Sequence, residues 1–373
     1  MSKWYARAVA VLFVAFVFGL ALAQAVLPDR AFSDEENRVL QQVPAVSAGA
    51  VLSGRLQQES EDYIADQFAG RDGWIALKSA LERLSGKKEN NGVYLGREET
   101  LLRRYDEADA ARLEQNAAAV ERFAAQCPAE TYAAFVPSST EIWADRLPRW
   151  ADSADEAAGI RRALGQMPSV RALDVYAALE ERAGEEIYYR TDHHWTTRGA
   201  YYAYAAMARG MGLTPRAEED FTPEIVSDTF TGTLYSRSAV RGITPDRIER
   251  WVPAAGLTLT VTEGGDSAPA PVYDGQALEG KDQYTYFLGG NHALAVLENP
   301  AADSGRRLLL VRDSFADCQA PFWAQHFAQV HLVDLLYYKQ PLSEYVAEHG
   351  IDTVVFLYGY ESFASDASLT FLQ

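Results

Sequence analysis

Ser314 lies between an apolar run, Leu308-Leu309-Leu310-Val311-Arg312, and a segment that reads as helix. A serine at the C-terminal end of a parallel strand sits where α/β folds place reactive groups, and amides at the start of a helix stabilise developing negative charge. Near neutral pH its hydroxyl is a poor nucleophile until a neighbouring base takes its proton and an oriented acid holds that base in the right tautomer. The plainer alternative is that Asp313 or Ser314 only caps the helix, a position both residue types favour.

The base must be a histidine, and two of the six are adjacent in Thr191-Asp192-His193-His194-Trp195-Thr196. Asp192 and His194 are two residues apart, so on extended backbone their side chains share a side while His193 points the other way. That spacing suits Asp192 as the orienting carboxylate and His194 as the base for Ser314, the set needed for acyl-ester chemistry. Asp192, His193 and His194 are also plausible ligands of zinc or iron, so a metal site competes, although no HExxH spacing occurs. A third reading leaves the histidines in structural hydrogen bonds. The preferred assignment contains no metal and no cofactor. A further element is Leu288-Gly289-Gly290-Asn291-His292. Gly290 and Asn291 could complete an oxyanion hole with the amides of Ser314 or Phe315, although Gly-Gly-Asn also makes an ordinary turn.

Positioning these residues calls for an α/β fold. Short apolar runs at 131–137, 171–175, 307–312, 330–333 and 353–358 alternate with helical stretches at 199–210 and 316–327, which predicts a parallel sheet flanked by helices. Residues 215–299 change texture to Thr, Gly, Val, Tyr and Pro and read as a β-rich insertion. Helical spacing of apolar residues over 56–84 predicts a helical stalk within residues 29–95, and 110–126 predicts another helix. Residues 96–373 then form the catalytic domain.

Lys3 and Arg7 precede an uncharged, mostly apolar run over residues 8–27, about the length that crosses a bilayer as a helix. Residues 1–28 therefore read as a signal anchor, or as a signal peptide cut after the small-residue pattern Ala21-Leu22-Ala23. The expected location is the cell membrane, single-pass with an extracytoplasmic domain, or outside the cell if the segment is removed. A formal charge of −18 repels phosphate backbones and argues against nucleic acid as a partner. Two cysteines, Cys127 and Cys318, exclude a paired-cysteine zinc site; they form either one bridge or two small buried apolar positions.

Several separated segments, in one order, resemble the DHHW family of extracytoplasmic proteins, named for the tetrapeptide that appears here as Asp192-His193-His194-Trp195. They are Phe32-Ser33-Asp34-Glu35-Glu36-Asn37-Arg38, Asp66-Gln67-Phe68 with Arg71-Asp72, residues 191–201, Phe230-Thr231-Gly232-Thr233-Leu234-Tyr235, residues 288–292, and Arg312-Asp313-Ser314-Phe315. That family is similar to alginate O-acetylation proteins of the AlgJ and AlgX type, which are SGNH-hydrolase-like. The resemblance implies an SGNH-like fold with Asp192, His194 and Ser314 as its triad, transfer rather than hydrolysis, a cell-surface polysaccharide as acceptor, and a membrane-bound O-acyltransferase that supplies the acyl group. Ordinary SGNH hydrolases carry the serine first and the Asp and His last; here the order is reversed, and geometry rather than chain order defines a triad. The other class of function is a non-catalytic glycan-binding or scaffold component in which these residues are idle.

Overall fold

The computed structural model describes residues 3–33, 35–36, 38–106 and 109–372. Asp34 and Asn37, part of the first resembling segment, lie outside the described residues. The chain forms two compact units, one running to Lys87 and including Ala239–Gly242, the other made of Lys88–Ser238 and Ile243–Gln373.

The first unit begins with the helix Lys3–Val26, 24 residues long with none of its residues buried, and long and apolar enough to cross a membrane. The single helix expected over 56–84 is two helices, Arg55–Asp66 and Arg71–Leu84. They part at Gly70, whose φ of 69° is a left-handed conformation that suits a residue without Cβ. The polar segment after the apolar helix is held by ion pairs. Arg38 meets Asp66 at 2.5 Å and Glu36 at 2.7 Å, and Arg71 meets Glu36 at 2.6 Å. The Arg38 hydrogen bond holds the Asp66 carboxyl down to about 2. Glu36 and Arg38 of the first resembling segment and Asp66 and Arg71 of the second thus form one charge network.

The second unit is built on an eight-stranded sheet. Its strands are β1 (Glu130–Val136), β2 (Arg171–Ala172), β3 (Thr258–Glu263), β4 (Asp266–Ala270), β5 (Leu294–Glu298), β6 (Ser304–Arg312), β7 (Phe327–Val333) and β8 (Thr353–Gly359). They lie in the order β4-β3-β5-β7-β6-β8-β1-β2. From β7 through β6, β8 and β1 to β2 the pairing is parallel. On the other side of β7, strands β5, β3 and β4 add antiparallel.

Parallel strands β1, β6, β7 and β8 are buried on both faces over most of their length, which is why they read as continuous apolar runs, whereas the short edge strand β2 is exposed. Side chains alternate, so Leu308 and Leu310 of β6 join one core cluster and Leu309 and Val311 the other. Helix Thr197–Gly210 covers the first face with Ala200, Ala203, Tyr204 and Met207. Helices Ala110–Gln126 and Leu342–His349 cover the second with Leu113, Ala117 and Val120, and with Leu342 and Val346.

Three local expectations change. The helix expected over 316–327 is a 3-10 turn, Ser314–Ala316, a short helix, Ala320–Trp323, and then the start of β7. Phe322, Trp323 and Ala324 are all fully buried, so this stretch has no solvent face on which a longer amphipathic helix could rest. The strand expected over 171–175 pairs only at Arg171–Ala172 before helix Tyr176–Glu180 begins. The β-rich stretch 215–299 contributes β3, β4 and β5 to the main sheet and a separate pair, Glu224–Phe230 with Asp246–Arg250, but also a helix, Thr233–Ser238. Both cysteines are free thiols, Cys318 buried and Cys127 half-buried.

Candidate active site

Strand β6 ends at Arg312 and the chain turns through Asp313. The Asp313 carboxylate accepts the Phe315 amide at 3.1 Å and, across the sheet, the Gly359 amide at 2.8 Å. Capping is therefore done by Asp313, and the Ser314 hydroxyl is left for another partner. A Cβ on Gly359 would lie 2.8 Å from the Phe315 ring, so the glycine lets the turn sit against β8. The turn lies beyond the carboxyl ends of the parallel strands, near where connections leave in opposite directions along the sheet.

The segment carrying Asp192 is irregular, held by a bridge between Tyr188 and Trp195 and by the Tyr189 amide donating to His194 O at 3.1 Å. Thr196 caps helix Thr197–Gly210. Buried Trp195 donates its ring N–H to Phe315 O at 2.9 Å, which ties this segment to the serine turn. Tyr284 stacks on His194, with centroids 3.8 Å apart and planes 8° apart, while its hydroxyl donates to Ser314 O at 3.1 Å.

The three residues singled out from the sequence meet in one hydrogen-bonded chain. Ser314 Oγ is 2.7 Å from His194 Nε2, and His194 Nδ1 is 2.6 Å from Asp192 Oδ1. An ionised carboxylate only accepts, so Nδ1 carries the proton and Nε2 accepts from the serine hydroxyl, the tautomer a general base requires. Asp192 Oδ2 accepts from the Thr233 amide at 2.7 Å and from its hydroxyl at 2.8 Å. Gly232 lets that helix start come close, because a Cβ there would lie 2.3 Å from Asp192. One shell further out, Thr191 donates through its amide (2.8 Å) and hydroxyl (2.5 Å) to buried Asp246. Thr233, Tyr284 and Asp246 were not singled out from the sequence; of the three, only Thr233 lies in a resembling segment, residues 230–235.

Burial opposes charge on Asp192, but His193 and His194 beside it hold its carboxyl well below the usual range. Burial and the neighbouring His193 push His194 down to about 4, against the pull of Asp192. Burial lifts Asp313 to about 6.

The expected oxyanion donors fare differently. The Phe315 amide is taken by Asp313, and the Gly290 amide donates to Phe287 O at 3.3 Å in a turn where Leu288, Gly289 and Gly290 all have positive φ. The Ser314 amide has no acceptor among the described residues. Asn291 Oδ1 accepts from Arg312 Nη1 at 2.7 Å, which pins the amide plane to the end of β6 and leaves Nδ2 as its unbonded end among the described residues. Arg312 itself is fully buried and meets Asp317 at 3.2 Å.

Ligand atoms of Asp192, His193 and His194 lie within 4.8 Å of one another. Both Asp192 oxygens and both His194 nitrogens are already hydrogen-bonded, so a cation would have to displace Ser314 or Thr233. The other histidines bond elsewhere: His292 to Glu263, His326 to Tyr204, His331 to Tyr345 and His349 to the Tyr345 carbonyl.

No curated protein matches this chain. Its fold is similar to that of a DHHW family protein from Eubacterium siraeum, at 22% identity, TM-score 0.67, covering 76% of this chain and 95% of that one. It is also similar to Bacillus cereus PatB1 with a sulfonyl adduct, at 20% identity, TM-score 0.64, covering 75% and 98%. A looser likeness, TM-score 0.46 at 17% identity over 74% and 93%, is to the O-acetyltransferase domain of Pseudomonas putida AlgJ. The family model described as DHHW protein matches residues 111–333, more than half of the sequence and inclusive of both the Asp192 and Ser314 segments, and the chain belongs to the DHHW family.

Proposed function

We propose that this protein is an extracytoplasmic, serine-dependent acyl transferase or esterase, with acetyl as the expected group and a cell-surface polysaccharide as the expected acceptor. The observation that carries the reading is the Ser314–His194–Asp192 chain, with contacts of 2.7 and 2.6 Å. In the first half-reaction Ser314 Oγ attacks the acyl carbonyl as its proton passes to His194 Nε2. The intermediate collapses, the leaving oxygen takes that proton, and the acyl group remains on Ser314. In the second half an acceptor hydroxyl gives its proton to His194 and attacks the acyl carbon, and Ser314 regains the proton as it leaves. Water in that place gives hydrolysis. The Ser314 amide and Asn291 Nδ2 are the donors proposed for the oxyanion.

Transfer to a polysaccharide, and a membrane-bound O-acyltransferase as donor, follow from the family resemblance. Lys3 and Arg7 at the start of the apolar helix would hold that end inside and the remainder of the chain outside. The test uses the full chain in detergent with a sulfonyl fluoride probe and an acetyl-ester reporter. A mass adduct on Ser314, with reporter turnover lost in Ser314→Ala and His194→Ala, is the expected result. Equal residual rates in wild type and both variants would instead support a glycan-binding or scaffold protein.

A further inference from the structure

We propose that His193 reads the acceptor: its Nε2 binds the hydroxyl next to the one that His194 deprotonates, and so selects a vicinal diol of a sugar ring over water. The inference rests on the acyl-enzyme reading above and assigns a residue that reading does not use.

One carboxylate orients two imidazoles. Thr233 Oγ1 is 2.8 Å from Asp192 Oδ2 and 2.9 Å from His193 Nδ1. The hydroxyl has a single proton and the carboxylate can only accept, so Thr233 donates to Asp192 and receives from the His193 Nδ1–H. Asp192 therefore fixes the tautomer of His194 directly, and that of His193 through Thr233 together with its own Oδ1, 3.5 Å from His193 Nδ1. The second ring is left with Nε2 as its working atom, and that atom has no partner among the described residues. The two rings are in tilted contact, with centroids 3.9 Å and planes 38° apart. They differ in access: the His194 side chain is 7% exposed and the His193 side chain 37%. An approaching molecule thus meets one imidazole that takes a proton and, beside it, one that is presented to solvent. Adjacent hydroxyls on a sugar ring match such a pair, whereas one water molecule supplies only one oxygen.

No net proton moves through His193. The reacting hydroxyl gives its proton to His194 Nε2, and the neighbouring hydroxyl only hydrogen-bonds to His193. The charged groups around the second ring are Asp192, Asp313, Glu361 and Asp282, opposed by Arg103 and His194. Burial lowers its proton affinity, but Asp192 and then Asp313 raise it above that of an ordinary histidine. Charge on His193 in turn depresses His194.

The experiment loads full-length protein with p-nitrophenyl acetate. It then measures the acylation burst and the partition of the acetyl group among water, methyl glucopyranoside and cyclohexanol, which lacks a second hydroxyl. Wild type should favour the glucoside over cyclohexanol. His193→Ala should keep the burst within about twofold and lower the glucoside-to-water ratio by about threefold to tenfold, the value of one hydrogen bond. His193→Gln, which keeps a polar group in that place, should recover part of the ratio. In both variants the acid limb of the burst should move to higher pH as His194 loses its neighbour's charge. If wild type does not acylate on Ser314, the acyl-enzyme reading itself fails. Should wild type acylate but show no diol preference, or His193→Ala match it in partition, the acceptor role fails alone; a burst lost with His193→Ala would move this residue into the acylation machinery and overturn the proposal in another way.

Discussion

His194 is hemmed in by a carboxylate on one nitrogen, a hydroxyl on the other, a phenol ring on one face and a second imidazole nearby. Burial and His193 outweigh Asp192 and push it down to about 4 from an ordinary 6.5. A general base works only when deprotonated, so acylation should hold steady from neutral pH into the acid range and fall as pH drops through about 4. Burst rate against pH measures this, and a midpoint at 6.5 or above would mean that the imidazole is not held in this buried chain. The residues of that chain were legible because a serine after an apolar strand and an Asp-x-His spacing each have a local signature. Thr233 and Tyr284 were not, since neither type at its position has a meaning until the fold brings it across 41 residues to Asp192 or 30 residues to Ser314. Arg312 likewise read as the end of a strand, whereas its guanidinium orients Asn291.

Among the elements, the start of helix Thr233–Ser238 bears most directly on the site, because its first amide and hydroxyl hold Asp192. Gly232 makes that approach fit. Gly232→Ala places a Cβ 2.3 Å from Asp192, overpacking that costs about 1–3 kcal/mol and displaces the carboxylate. A shift on the order of 1 Å at such a site lowers rate by roughly a hundredfold. Reporter turnover in Gly232→Ala should fall accordingly, while Gly275→Ala, with nothing within 4 Å, should keep the wild-type rate; equal activity in the two would remove the packing argument. The parallel strands were readable as apolar runs, and helix Ala110–Gln126 from its apolar spacing. The stretch 316–327 misled because buried aromatics on every side imitate a core helix. Residues 258–263 and 294–298 had strand character, but joining the sheet antiparallel at β7 depends on long-range register, which no local pattern contains.

Across the whole molecule, acidity is not confined to the surface. Glu156 is fully buried at the start of helix Glu156–Gly165, where the Ser138 amide and hydroxyl bond to its carboxylate from the end of β1. Burial, with the charge of Glu361, lifts it to about 8; burial lifts Asp317 to about 7 against Arg312, and Asp313 to about 6. These acids hold protons when folded that they release when unfolded, so the stability they contribute is present at low pH and is lost as pH rises through their folded values. His194 and His331, pushed to about 4 by burial, act oppositely, but only below the ordinary histidine value of 6.5. Between 6.5 and 8 the buried acids act without that opposition, and Tm should fall as pH rises across this window. Glu156→Gln keeps an acceptor for the Ser138 amide and removes the ionisation, so the variant should melt higher than wild type at pH 8 and show a shallower slope. Thermal denaturation at a series of pH values decides it: a wild-type Tm that is flat or rising from 6.5 to 8 would mean that Glu156 ionises without cost, and that the junction between β1 and helix Glu156–Gly165 is open to water.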